Sequence, residues 1–180
     1  MRKEEKTVKK AKKSTVWIWR AVFTLATLLV LAFIFSNSAA TAEQSSGLSE
    51  RVTKWVQTIF RAIAPQSWVA GATGEDFARL HGIVRKIAHF TEFFALGACS
   101  TWCYLSYCRF AVGLTLPATT VIFVPILDEF LQGSVEGRAT ELLDLVIDTA
   151  GGLTGVLVGL VLAAAVLAGL ARRKKRLKGE

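Results

Sequence analysis

Residues 16–35, VWIWRAVFTLATLLVLAFIF, carry a single charge, Arg20. Such a run has the roughly 17–25 apolar positions that a helix needs to cross a bilayer core. Three later runs, at about residues 83–108, 110–131 and 142–170, also reach span length. The expectation is an all-α fold: a polytopic membrane helical bundle of four transmembrane helices. Trp17 and Trp19 suit the membrane interface, and Arg20 can snorkel back to the basic side. Pro117 and Pro125 fall inside the third run, where they are expected to kink it.

Charge sets the orientation. The chain has a formal charge of +8, yet the Lys and Arg residues crowd into MRKEEKTVKKAKK at one end and RRKKRLK at the other. By the positive-inside rule both ends belong in the cytoplasm, as four spans require. Basic clusters beside apolar runs are leaflet anchors. Binding nucleic acid would instead need a basic face on a folded soluble domain, with stacking aromatics beside it, and no nucleic-acid partner is expected. The organisation is thus a basic arm at 1–15, a membrane domain at 16–170 and a basic tail at 171–180.

Two further features bear on this topology. Ala40-x-Ala42, after a basic region and an apolar run, imitates a signal-peptide cleavage site. The length of both regions favours a retained span, and the alternative is a mature chain beginning near Glu43. Leu48, Val52, Trp55, Val56, Ile59, Phe60 and Ile63 recur at helical spacing, predicting an external amphipathic helix over about 48–64. It either lies on the outer membrane surface or packs as a lid over the spans. Cys99, Cys103 and Cys108 lie in one apolar stretch without metal-ligand spacing and are expected to pack as small apolar side chains.

Placing the ionisable residues by depth brings them together. In RKIAHFTEFFALG the second run enters from outside, with Arg85 and Lys86 at its mouth, His89 about one turn down and Glu92 about two. Arg85, His89 and Glu92 share a face at i, i+4, i+7. PILDEFLQG sets Asp128, Glu129 and Gln132 at the outer end of the third run, the link GSVEGRATE adds Arg138, and LLDLVIDTAGG brings Asp144 and Asp148 back down. Ionisable groups inside a membrane cost about 2.5–3.5 kcal/mol each on insertion scales, so their convergence in one leaflet is a site hypothesis. Gly151, Gly155 and Gly159 form a small-xxx-small stripe that predicts close helix packing.

With FSNSAATAEQSSGLSERV, RKIAHFTEFFALG, DEFLQGSVEGR and DLVIDTAGGLTG in this order over about residues 33–160, the chain resembles the VanZ-like family of bacterial integral membrane proteins. It departs from the family pattern at Val135-Glu136-Gly137, where a proline is commonly expected. The resemblance implies a multi-pass protein of the bacterial cytoplasmic membrane, with Arg85, Lys86, His89, Glu92, Asp128, Glu129, Gln132, Arg138, Asp144 and Asp148 as site positions. It also implies a link to resistance against teicoplanin, a lipid-tailed glycopeptide. The molecular activity does not follow from it.

Three readings stay open. In the first, an enzyme acts on a lipid-tailed or envelope-precursor substrate. His89, Glu92, Asp128, Glu129 and Asp144 then form its catalytic set, and Arg85, Lys86, Gln132, Arg138 and Asp148 its binding set. The acids and His89 also offer ligands to a divalent metal. No Ser or Cys sits in a recognisable nucleophile motif. In the second, the same cleft only captures a lipid-tailed antibiotic or lipid. In the third, the charges merely lock the helices together.

Overall fold

The computed structural model describes the backbone of residues 2–178 and the side chains of residues 14–109 and 111–177. Six helices follow one another: α1 (Arg2–Ser38), α2 (Ala42–Ile63), α3 (Trp68–Gly71), α4 (Gly74–Tyr107), α5 (Phe110–Gly133) and α6 (Leu142–Lys178). No strand occurs among the described residues.

α4 is the axis of the bundle, packed against α6, α1 and α5. Its contact with α6 follows from the glycine stripe. A Cβ on Gly151 would meet the Phe90 carbonyl, and one on Gly155 the Phe94 carbonyl. Only hydrogen at those positions lets the two backbones approach so closely. Around this contact Ile34, Phe93, Leu96, Val121, Val124 and Val156 form a buried apolar core drawn from all four long helices.

Among the described residues three helices, not the expected four, are long and apolar enough to cross a membrane: Ser14–Ser38, Ala111–Gly133 and Leu142–Leu177. α4 fails on composition. Toward its N-terminal side it carries Arg85, Lys86, His89 and Glu92, and its last eight residues read STWCYLSY. A helix enclosed by three others faces protein on most sides, and the wholly apolar surface that lipid demands is not required of it.

Boundaries also move. α1 runs on through the basic arm to Arg2 and α4 begins at Gly74, nine residues before the expected 83. α5 continues through both Pro117 and Pro125, which are fully buried. α2 starts at Ala42 instead of 48, because Thr41 and Gln44 make a capping box: Thr41 Oγ1 accepts from the Gln44 N–H, and Gln44 Oε1 from the Thr41 N–H.

The expected apolar face of α2 divides in two. Val56 and Phe60 pack beside Val69, Ala72, Leu80 and Val84. Buried Gln57 donates from Nε2 to the Val69 and Ala72 carbonyls at 3.2 and 2.9 Å, and Arg61 Nε donates to the Ala70 carbonyl at 3.0 Å. Leu48, Val52, Trp55, Ile59 and Ile63 remain exposed.

Candidate polar site

The site gathers where α1 and α5 end and α6 begins, against the N-terminal half of α4. Asp128 and Gln132 lie one turn apart on α5, both about 99% buried, and Gln132 Nε2 donates to Asp128 Oδ2 at 2.7 Å. Asp128 Oδ1 accepts from Ser38 Oγ at the last turn of α1. Across the bundle His89 Nδ1 of α4 stands 3.4 Å from Asp148 Oδ1 of α6. That approach has ion-pair range without hydrogen-bond geometry, and His89 Nδ1 and both oxygens of Asp148 lack a hydrogen-bond partner. Asp148 is about 99% buried.

His89, Asp128 and Asp148 each offer one ligand atom, and these atoms lie within 4.8 Å of one another. An imidazole nitrogen and two carboxylate oxygens at that spacing suit a divalent cation of the Zn, Mn or Fe type. The orphaned atoms fit such a group. Each buried polar atom without a hydrogen bond costs about 1–3 kcal/mol, and a cation held by one atom of each residue would satisfy two of them, one on His89 and one on Asp148. Arg85, one turn above His89, leaves its Nε buried and unpaired, and Lys86 is half-buried beside it.

The remaining expected site residues take other roles. Glu92 turns toward α1, where Asn37 Nδ2 donates to its Oε1 at 3.1 Å. It also lines a groove of about 520 Å³ between Leu29, Val30 and Phe33 of α1 and Ala88, Thr91 and Ala95 of α4. Glu129 Oε1 accepts the Glu141 N–H, tying the end of α5 to the segment that starts α6. Asp144 is buried in the first turn of α6.

Arg138 departs most from the anion-binding role expected of it. Its Nη1 donates to the carbonyls of Asn37, Ser38 and Ala40 at 2.9, 3.0 and 3.4 Å, and its Nη2 to Ser45 Oγ at 3.3 Å. The guanidinium is therefore a clamp on the bend between α1 and α2. Burial, and the nearby Arg85 guanidinium, hold it below its ordinary pKa. The turn delivering it is built from Val135, Glu136 and Gly137: the Arg138 N–H donates to the Val135 carbonyl at 3.2 Å, with Gly137 at φ 78°. A positive φ at the third position of such a turn favours glycine, which Gly137 supplies.

Asn37, Ser38 and Ser45 were missed by the sequence reading. They lie in the FSNS…SS stretch at the end of the first apolar run. The available signal was depth: polar residues at the outer end of a span sit level with the other acids.

The fold and the site together define a helical membrane protein with a buried polar cluster at one end of its bundle. The VanZ/LLP1 family profile matches residues 23–163, and the chain belongs to that family. No curated protein and no solved structure matches it.

Proposed function

We propose that the protein is a membrane-embedded, divalent-cation-dependent hydrolase acting on the phosphate-bearing head group of a lipid-tailed envelope substrate. One observation carries the reading. His89, Asp128 and Asp148 converge from three helices with the imidazole nitrogen and both oxygens of Asp148 buried without a hydrogen-bond partner, His89 and Asp148 meeting only at ion-pair range. Helices merely locked together would gain by pairing those atoms.

Asp128 is held in orientation by Ser38 and Gln132, so its position is set before any ligand arrives. His89 and Asp148 complete the ligand set. A divalent cation held there would polarise the substrate's phosphoryl oxygen and lower the pKa of a bound water, which would answer the lack of a Ser or Cys nucleophile motif. Arg85 and Lys86 offer positive charge above the cluster for the anionic head group. Glu92, a turn below on the groove side, is the general acid–base candidate. Arg138 positions rather than binds, by holding the α1–α2 bend that carries Ser38.

In this reading α4 crosses the membrane as a fourth span, shielded by α1, α5 and α6. The basic ends of α1 and α6 lie in the cytoplasm and the polar cluster opens to the outer leaflet, following the Lys and Arg asymmetry. Capture of a lipid-tailed antibiotic without chemistry is the second reading, favoured by the apolar groove beside Glu92. The teicoplanin link belongs to either.

The test uses the full chain in proteoliposomes containing phosphatidate or a polyprenyl diphosphate, following phosphate release. Release that chelator abolishes and added Mn²⁺, Co²⁺ or Zn²⁺ restores, and that Asp148→Asn lacks, supports the hydrolase. Chelator-insensitive release would overturn it. Teicoplanin resistance from the wild type and from Glu92→Gln at matched membrane levels, with no phosphate release, would favour the binder.

A further inference from the structure

α2 presents three faces, and only two have an evident occupant. Thr53, Val56, Gln57 and Phe60 form the packed face, spanning two turns. Glu50 and Lys54 point to water, paired at 2.6 Å. The third face is the stripe Leu48, Val52, Trp55, Ile59 and Ile63. At 100° per residue these five fall within roughly 80° of arc. Their exposures run from 36% at Ile59 to 72% at Ile63. A continuous exposed row of large apolar side chains marks an interaction surface.

We propose that this stripe is seated in the interfacial zone of the leaflet that holds the polar site, making α2 an in-plane membrane helix. Three observations select lipid as the occupant. First, α1 ends at Ser38 and α2 begins at Ala42. Three intervening residues reach at most roughly 10 Å, so α2 starts at the level where a candidate span leaves the bilayer. Second, Trp55 is 66% exposed on the stripe and Trp68 is exposed just beyond the helix. Tryptophan is enriched at that interface because its ring is apolar with one polar edge. Third, the order of faces around the helix is that of an interfacial helix held from the side: apolar stripe, packed face against α3 and α4, charged face.

The seating has a structural consequence at the site. Arg138 joins Ser45 of α2 to the carbonyls of Asn37, Ser38 and Ala40. A helix fixed in the leaflet thereby fixes the bend that presents Ser38 to Asp128. This inference stands apart from the hydrolase reading, since it concerns the surface of α2 alone.

The experiment places single spin labels on the full chain in phosphatidylglycerol–phosphatidylcholine vesicles, with Cys99, Cys103 and Cys108 replaced by alanine. Leu48→Cys, Val52→Cys, Trp55→Cys and Ile59→Cys report the stripe, and Glu50→Cys, Arg51→Cys and Lys54→Cys the charged face. Stripe labels are expected to collide several-fold more with oxygen than with a water-soluble nickel chelate, and charged-face labels to show the reverse. Wild type is also expected to lose more fluorescence to brominated lipid than Trp55→Phe does. Stripe labels open to the nickel chelate would overturn the proposal. So would labels shielded from both reagents, which would assign the stripe to a second copy or a protein partner.

Discussion

The contact between α1 and α4 has two polar ends that differ in one respect. At the end that carries Arg20 and Tyr107, called inner after the side expected of it, every interaction closes on itself. Arg20 Nε donates to the Ser106 carbonyl at 2.9 Å, and its guanidinium lies 5.6 Å from the Trp17 ring centroid and 4.9 Å from that of Tyr107. Thr24 Oγ1 is 3.1 Å from Tyr107 Oη, and Trp19, Phe23 and Trp102 stack in sequence. At the opposite end, the expected outer one, Asn37 meets Glu92 and Ser38 meets Asp128, but His89 Nδ1, both Asp148 oxygens and Arg85 Nε lack a hydrogen-bond partner. Satisfied polar groups at a helix contact are a lock. Groups buried and left unpaired have no such account, and a ligand supplies one.

The largest expected effect would break the comparison by separating the helices that make both ends. Gly155→Leu sets a side chain against the Phe94 carbonyl and the Ala98 backbone nitrogen. A backbone cannot retreat as a side-chain tip can, so a loss of about 3 kcal/mol or more is expected, read as lost membrane yield or thermal stability. Gly169→Leu, with open space around it, should leave both unchanged.

Next come the acids of the outer end. Asp128→Asn and Asp148→Asn are expected to lower phosphate release by at least about a hundredfold while the proteins remain inserted and folded. If the cluster were a lock like the inner end, the same variants would strand a buried partner and lose roughly 3–5 kcal/mol. Stability measured beside activity in one detergent separates the two outcomes.

How much of this was legible in the sequence varied by element. α1, α5 and α6 were visible as apolar runs, because a helix facing lipid must advertise it in composition. α4 was read as a span equal to the others, whereas its enclosure relaxes that demand and its composition falls short. The partition of α2 was hidden for a related reason. Val56 and Ile59 look alike on a helical wheel, and only the position of α4 decides which is packed and which is bare. At the site, Asp128 and Gln132 stand at i, i+4 in the sequence, and one helical turn does bring them into contact. Spacing also put Glu92 with His89 on one face, yet across 34 residues of helix each looks to a different neighbour, α1 for Glu92 and α6 for His89. Arg138 was misjudged because a cation beside acids suggests anion binding, and no spacing rule shows three carbonyls of a distant bend turned toward it.

A smaller effect is expected from that clamp. Arg138→Ala removes hydrogen bonds from one charged group to a buried bend, each of a kind worth about 1.5–3 kcal/mol, and partial burial discounts the sum. Stability should fall by roughly 2 kcal/mol, and activity more steeply because Ser38 loses its placement. Arg138→Lys should recover only part of this, since an ammonium lacks the planar fork that reaches Asn37, Ser38 and Ser45 together. A full recovery of activity by lysine would make Arg138 a simple charge, as the sequence suggested.

The smallest effect belongs to the inner end. Tyr107→Phe keeps the ring beneath Arg20 and removes only the hydroxyl that meets Thr24, at a site that is half exposed. One neutral hydrogen bond contributes about 0.5–1.5 kcal/mol net, so the midpoint of thermal unfolding should fall slightly while phosphate release at saturating substrate stays at the wild-type rate. The two ends then differ in kind: polar groups of the inner end change stability without activity, and the acids Asp128 and Asp148 of the outer end change activity without stability. If Tyr107→Phe slowed turnover while leaving the melting midpoint in place, the inner cluster would also be part of the working site, and pairing within the bundle would no longer distinguish a lock from a site.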